Sequence, residues 1–97
     1  MLKVFWTKRA VKKFEKICDY INSNWGIPTT NKFKKRVKLI VNLLSDFPEI
    51  RTIEFKNRNI RGIVVVRQLT LFYKVKDNKL IILNFFDNRQ QPDKRKY

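Results

Sequence analysis

The sequence predicts an α+β fold in which two antiparallel helices pack against an antiparallel sheet. Apolar side chains in residues 11–47 recur at alternating spacings of three and four, which is the period of amphipathic helices. Residues 60–86 instead contain β-branched and aromatic runs separated by short turn sequences, as in consecutive strands. A short alternating segment precedes the helices, so the predicted order is β-α-α-β-β-β.

The first two predicted elements are a strand over residues 2–6 and a helix that Thr7 caps through its side-chain oxygen. Gly26 is predicted to end this helix. The spacing 3, 4, 3, 4 predicts that its buried face consists of Val11, Phe14, Cys18, Ile21 and Trp25.

A second helix is predicted from about Pro28, which suits a first turn, to about Asp46, before Pro48. The short connection implies an antiparallel hairpin. The predicted buried face consists of Phe33, Val37, Ile40, Leu44 and Phe47, widened by Val41 and Leu43. Its first half is crowded with cations, at the end where the helix dipole disfavours them. These cations form either a functional surface or a solvated face, and both interpretations stay open. They are Lys32, Lys34, Lys35, Arg36 and Lys38.

The remaining chain is predicted to be β structure. Residues 52–55 form either a short strand or an extended loop. Ile60–Val66 is almost continuously apolar, which predicts a central strand covered on both faces. Residues 69–75 alternate with a period of two, and residues 80–86 form the last strand after the turn at Asp77 and Asn78. Short links predict an antiparallel meander.

The charge is the strongest functional signal in the composition. The 97 residues contain 23 Lys and Arg against 8 Asp and Glu, a net charge of +15. We expect one domain over residues 1–97, with a basic tail over 87–97, and a polyanionic partner. The single cysteine, Cys18, fits a buried apolar position in a cytoplasmic protein, and no apolar run is long enough for a membrane span.

The residue inventory excludes many active sites. There is no histidine, one cysteine and only two glycines, so catalytic triads, metal centres and glycine-rich phosphate loops are not expected, nor is a cofactor. Lys, Arg and Tyr suit metal-independent RNA cleavage through the 2′-hydroxyl.

The candidate catalytic residues are Lys56, Arg61 and Arg89, with Arg58 and Arg67 as candidate nucleic-acid contacts. Arg61 and Arg89 would lie at opposite ends of the sheet if the outer strands of the meander are parallel. Each of these residues also has a structural alternative. Arg61 could pair with Glu54, and Arg89 could form a salt bridge within a turn. Packing roles are expected for Tyr73, Trp6 and Trp25.

An ordered set of segments resembles the RelE/ParE toxin superfamily over nearly the whole chain. The segments are Ala10, Phe14, Ile17, Tyr20-Ile21, Trp25-Gly26, Phe33, Val37, Ile40, Leu44, Phe47-Pro48, and residues 60–65, 71–75 and 81–92. The resemblance implies a toxin of a type II toxin–antitoxin system, linked to growth inhibition and plasmid stabilisation, and held inactive by an acidic antitoxin.

Two activities divide this superfamily, ribosome-dependent mRNA cleavage and inhibition of DNA gyrase. The residues favour the mRNA nuclease slightly, with gyrase inhibition as the alternative and a non-toxic nucleic-acid-binding module third. The resemblance adds Tyr97 to the catalytic candidates and Lys94, Arg95 and Lys96 to the nucleic-acid contacts. Many members carry a histidine near the end of the last strand, where this chain has Asp87.

Overall fold

The computed structural model describes residues 1–50 and 58–89, together with the backbone of residues 53–55. The elements, in chain order, are β1 (Lys3–Trp6), α1 (Lys8–Trp25), α2 (Ile27–Asp46), β2 (Ile53–Phe55), β3 (Ile60–Val66), β4 (Leu69–Lys76) and β5 (Lys79–Asp87). The α+β class is confirmed, and the segment left open between strand and loop contributes β2.

The described strands form one mixed sheet in the order β1-β5-β4-β3-β2. The predicted meander is confirmed, since β3, β4 and β5 pair antiparallel in sequence order. β1 pairs parallel with β5, from Lys3 opposite Lys79 to Trp6 opposite Ile82. β3 and β5 therefore run in the same direction, which separates residues at the start of β3 from those at the end of β5.

Thr7 joins the start of α1 to the sheet. Its side-chain oxygen accepts a hydrogen bond from the Ala10 N–H at 3.1 Å, which confirms the predicted N-cap. The same hydroxyl donates to the Leu83 carbonyl at 3.0 Å, and the Thr7 N–H donates to the Ile82 carbonyl at 3.0 Å. The first turn of α1 is consequently held against β5.

The main core lies between the helical hairpin and one face of the sheet. Four aromatic rings with centroids 5.4–5.9 Å apart lie within it: Trp6, Phe14, Phe33 and Phe85. Trp6 thus has the packing role expected for it, and Tyr73 is completely buried. A smaller cluster of Ile60, Phe72 and Phe86 occupies the opposite face.

The buried faces of the helices differ from the predicted ones at their margins. Val11 and Trp25 are 40% and 60% exposed, whereas Ala10 is completely buried. Phe47 is 59% exposed because the chain leaves α2 just before it. The true stripe of α1 is Ala10, Phe14, Ile17, Cys18 and Ile21.

The prediction of a central β3 is wrong. β4 holds the central position in the five-strand order, and every residue from Leu69 to Tyr73 is buried. β3 lies next to the edge strand β2, and Val64 in it is 55% exposed. The alternating β4 is covered on both faces because Phe72 belongs to the second cluster.

Hydrogen bonds from two side chains connect α2 and the segment that follows it to the sheet. Arg36 Nε donates to the Val65 carbonyl at 2.9 Å, next to the irregularity between Val64 and Val66. The Tyr73 hydroxyl donates to the Pro48 carbonyl at 2.8 Å. Within the described residues, no helix combines the length and apolar character that a membrane span requires.

Candidate functional site

A hydrogen-bonded turn at the end of β5 carries Arg89. The Asp87 carboxylate accepts hydrogen bonds from the Arg89 backbone N–H at 2.9 Å, from Nε at 3.0 Å and from Nη2 at 2.7 Å. The Asn88 N–H donates to the Gln68 carbonyl at 2.7 Å, and the Thr70 hydroxyl donates to the Asn88 side chain at 2.7 Å. The structural reading of Arg89 as a turn salt bridge is therefore confirmed.

The interaction between Asp87 and Arg89 shifts the pKa of each group towards its charged form. Hydrogen bonds from Arg89 lower the pKa of the Asp87 carboxyl, and the nearby charge of Lys13 acts in the same direction. Asp87 in turn raises the pKa of the Arg89 guanidinium. Arg89 thus presents a permanent cation, 68% exposed, that can stabilise an anion but cannot transfer a proton near neutral pH.

A groove of about 370 Å³ runs from this turn along the second half of α1. Its walls combine apolar and aromatic side chains with a charged rim. The apolar part consists of Ile17, Tyr20, Ile21, Trp25, Phe33, Val66 and Leu69, and the rim of Lys13, Lys16, Gln68, Asp87 and Arg89. We call this surface the aromatic groove.

Tyr20 and Trp25 give the groove two large rings that the core does not cover. They are 55% and 60% exposed, and they contact each other edge to face with centroids 5.8 Å apart. The packing role expected for Trp25 is wrong, because 60% of this side chain is exposed and it is absent from the core cluster. Exposed aromatic pairs beside cations are typical of protein-binding surfaces.

The sequence-predicted cations fall into two groups at opposite ends of the sheet. Arg61 is level with Tyr73 and, through it, with Ile82 on β5. Arg89 follows Asp87, so the two arginines lie about 20 Å apart along the strand direction. Arg58 precedes β3 on the Arg61 side, and Arg67 lies in the β3–β4 turn on the Arg89 side.

Five other predicted site residues fall outside the described residues: Lys56, Lys94, Arg95, Lys96 and Tyr97. Glu54, the expected partner of Arg61, is described only by its backbone. Among the described side chains, no cluster of His, Cys, Asp or Glu could hold a metal ion. Burial raises the pKa of the Cys18 thiol, which suits the packing role predicted for this residue.

Sequence analysis missed a second surface on the first half of α1. A cleft between this helix and β5 is lined by Lys8, Arg9, Lys12, Lys13, Lys16 and Asn84. The signal is present in the sequence, because Lys8, Lys12 and Lys16 recur every four residues and must share one helix face. The lysines were interpreted only as the solvent-exposed residues opposite the apolar stripe of α1. That interpretation does not indicate a separate surface.

The family model that describes the ParE toxin of the type II toxin–antitoxin system parDE matches residues 4–92. A chromosomal ParDE system from P. aeruginosa is similar in fold, with 21% identity, a TM-score of 0.62, and 90% of this chain and 96% of that chain covered. A copper-bound mutant toxin from Helicobacter pylori has 19% identity and a TM-score of 0.66 over 92% of this chain and 97% of that chain. No curated protein sequence is similar enough to count as a match.

Proposed function

The chain belongs to the ParE toxin family of type II toxin–antitoxin systems, and from this premise we propose that it stops bacterial growth by inhibiting DNA gyrase. In this proposal residues 1–97 act as one toxin domain in the cytoplasm, and an acidic antitoxin holds it inactive. The sequence alone slightly favoured mRNA cleavage over gyrase inhibition, and the structure leads us to propose the opposite order.

The separation of Arg61 and Arg89 is the observation that carries this proposal. Cleavage of RNA through its 2′-hydroxyl needs a proton acceptor, a proton donor and cations around one phosphate. Two arginines about 20 Å apart on the sheet cannot contact the same phosphate. Arg89 holds its proton, and Asp87, which takes the position of a histidine in many related toxins, has a lowered pKa that makes it a weak base.

The aromatic groove fits a protein partner. Its exposed Tyr20 and Trp25 supply apolar contact area, and Lys13, Lys16 and Arg89 on the rim favour acidic side chains. We propose that the antitoxin places a segment of apolar and acidic residues in this groove. Gyrase, as a second protein partner, would compete for the same region.

Controlled expression tests the proposal in cells. We expect DNA synthesis, followed by metabolic labelling, to fall while transcripts remain intact and protein synthesis continues. Purified toxin should also inhibit supercoiling by gyrase in vitro. A rapid fall in protein synthesis with cut transcripts would overturn gyrase inhibition.

A matched pair of variants tests the groove. Trp25→Ala removes an exposed ring in the groove, and Leu39→Ala removes an equally exposed apolar side chain, 62% against 60%, outside it. We expect Trp25→Ala to weaken binding of the cognate antitoxin by about 10-fold or more, as for a moderate interface anchor. Equal effects of the two variants would exclude the groove as the antitoxin site.

Ribosome-dependent mRNA cleavage remains the second candidate because Arg67 and Arg89 lie at the same end of the sheet, joined through the hydrogen bond between Asn88 and Gln68. In this alternative Arg89 would stabilise the phosphate, and Lys56 and Tyr97 would contribute catalysis. Arg61, about 20 Å from Arg89, would lie outside that site. The RNA contacts would come from Arg58, Lys94, Arg95 and Lys96. Transcript cleavage by the wild type that disappears in Arg89→Ala would support it.

A further inference from the structure

The first half of α1 forms a surface of a different character from the aromatic groove. Lys8, Arg9, Lys12, Lys13 and Lys16, with Asn84 of β5, line a cleft of about 470 Å³, which we call the basic cleft. Its five cations span about 12 Å of helix, at the 1.5 Å rise per residue of an α-helix. The acidic side chains of α1, Glu15 and Asp19, do not line the cleft, and neither do its apolar side chains.

The arrangement of these cations is unfavourable for the helix itself. Lys8 and Lys12, Lys12 and Lys16, and Arg9 and Lys13 are like charges one turn apart, which destabilises a helix. Lys8 and Arg9 also lie in the first turn, where the helix dipole repels cations and where no acidic residue is present. Within the described part of the chain, none of the four lysines forms a salt bridge.

The fold adds a further positive contribution to the cleft. The N-terminal end of α1 carries its own partial positive charge, and Thr7 fixes this end against β5 through two hydrogen bonds to the strand. The lysines therefore project from a rigid base at regular intervals. A row of cations with this spacing is suited to a chain of regularly spaced anions.

We propose that the basic cleft binds the phosphodiester backbone of a nucleic acid without reading its sequence. This goes beyond the proposed function, because inhibition of gyrase by protein contact requires no direct contact between toxin and nucleic acid. No apolar or aromatic residue lines the cleft, in contrast to the aromatic groove next to it, with which it shares Lys13 and Lys16. Phosphate contacts of this kind need only charge and position.

Salt-dependent binding of defined oligonucleotides tests the proposal. The purified chain of residues 1–97 is titrated into labelled 20-nucleotide single-stranded RNA, single-stranded DNA and a 20-base-pair duplex of mixed sequence, from 50 to 200 mM salt. Each neutralised phosphate contributes about 0.9 to the slope of log affinity against log salt on duplex DNA and about 0.7 on single strands. The three arms show which form of the backbone the cleft prefers.

The decisive comparison uses two triple variants of equal net charge. K8Q/K12Q/K16Q removes three cations of the cleft, and K35Q/K38Q/K76Q removes three exposed cations elsewhere. The cleft variant should have a slope shallower by about 2.7 on duplex DNA, or about 2.1 on single strands. Over a fourfold rise in salt, it should then lose affinity about 40-fold less than the wild type on duplex DNA.

Three outcomes would overturn the proposal. The control triple variant could change the slope as much as the cleft variant, which would mean that only net charge matters. The wild type could fail to bind any of the oligonucleotides at 50 mM salt. The cleft variant could keep the wild-type slope while losing binding to a 20-residue poly-glutamate probe, which would assign the cleft to an acidic peptide. Circular dichroism of both variants checks that the fold is intact.

Discussion

Tyr73 links the centre of the sheet to the end of the helical hairpin. Its ring is completely buried, and its hydroxyl donates to the Pro48 carbonyl at 2.8 Å. Tyr73→Phe keeps the ring but removes the donor, so the carbonyl loses this partner. We expect the free energy of unfolding to fall by about 1–3 kcal/mol, measured as a lower urea midpoint with an unchanged slope.

Tyr20→Phe is the matched control for this change. The same hydroxyl is removed from a side chain that is 55% exposed, so the free energy of unfolding should change by less than about 0.5 kcal/mol. Equal destabilisation by both substitutions would contradict a specific role for the hydrogen bond to Pro48.

The Asp87–Arg89 pair leads to a pH-dependent prediction. Hydrogen bonds from Arg89 hold the pKa of the Asp87 carboxyl below its usual value of 3.8 in the folded chain. A depressed folded pKa contributes stability above the usual pKa and loses it as pH falls through the lower folded value. Carbon NMR titration should place the Asp87 pKa below 3.8, and Arg89→Ala should return it towards 3.8. No change in the variant would exclude Arg89 as the cause.

At single positions, the sequence predicted what depends on local chemistry. Thr7 as an N-cap and Tyr73 as a core residue are confirmed, and the turn pairing of Arg89 was one of two readings held open. The exposure of Trp25 could not be predicted, because its position continues the helical spacing of the apolar stripe. Whether the sheet extends far enough to cover it depends on the length and register of distant strands.

Gly26 determines how α1 turns into α2 within a single residue. Its φ of 88° and ψ of −179° lie in a region that is open essentially to glycine alone, and its N–H donates to the Asn22 carbonyl. Gly26→Ala should destabilise the fold by about 1–3 kcal/mol, since a Cβ there meets only Pro28 Cδ at 3.9 Å and the cost is conformational. Thermal unfolding measures this loss.

Ser23→Ala is a suitable comparison, because Ser23 is exposed on the last turns of α1 and alanine favours a helix. It should leave the stability unchanged or slightly increase it. A Gly26→Ala variant as stable as Ser23→Ala would show that the connection tolerates another backbone conformation.

At the level of elements, periodicity predicted the helices and strands well, but it indicated the wrong strand as the centre of the sheet. Thr70 and Lys74 make β4 alternate, as in a half-buried strand, while β3 is continuously apolar. In the sheet β4 is central and Val64 of β3 is exposed. Periodicity reports the composition of a strand's two faces, whereas strand order and the cluster around Phe72 determine what covers them.

For the whole molecule, the charge of +15 is predictable from composition, but its distribution is not. The fold places cations at both ends of the sheet, along the basic cleft and on the rim of the aromatic groove. Only the helical period could have grouped the cleft lysines in advance. The distance between Arg61 and Arg89 could not be predicted, because it depends on the strand directions, which the sequence left open.

The same charge predicts how the stability of the isolated toxin depends on ionic strength. Like charges repel one another in the compact state, and this repulsion is screened over about 10 Å at 0.1 M salt. Raising sodium chloride from about 0.01 M to about 0.3 M should therefore increase the melting temperature of the wild type. The charge-reduced variant K35Q/K38Q/K76Q should show a smaller increase, because fewer repulsive pairs remain to be screened. A melting temperature that is independent of salt, or equally dependent in both proteins, would mean that repulsion between these surface cations does not limit the stability of the fold.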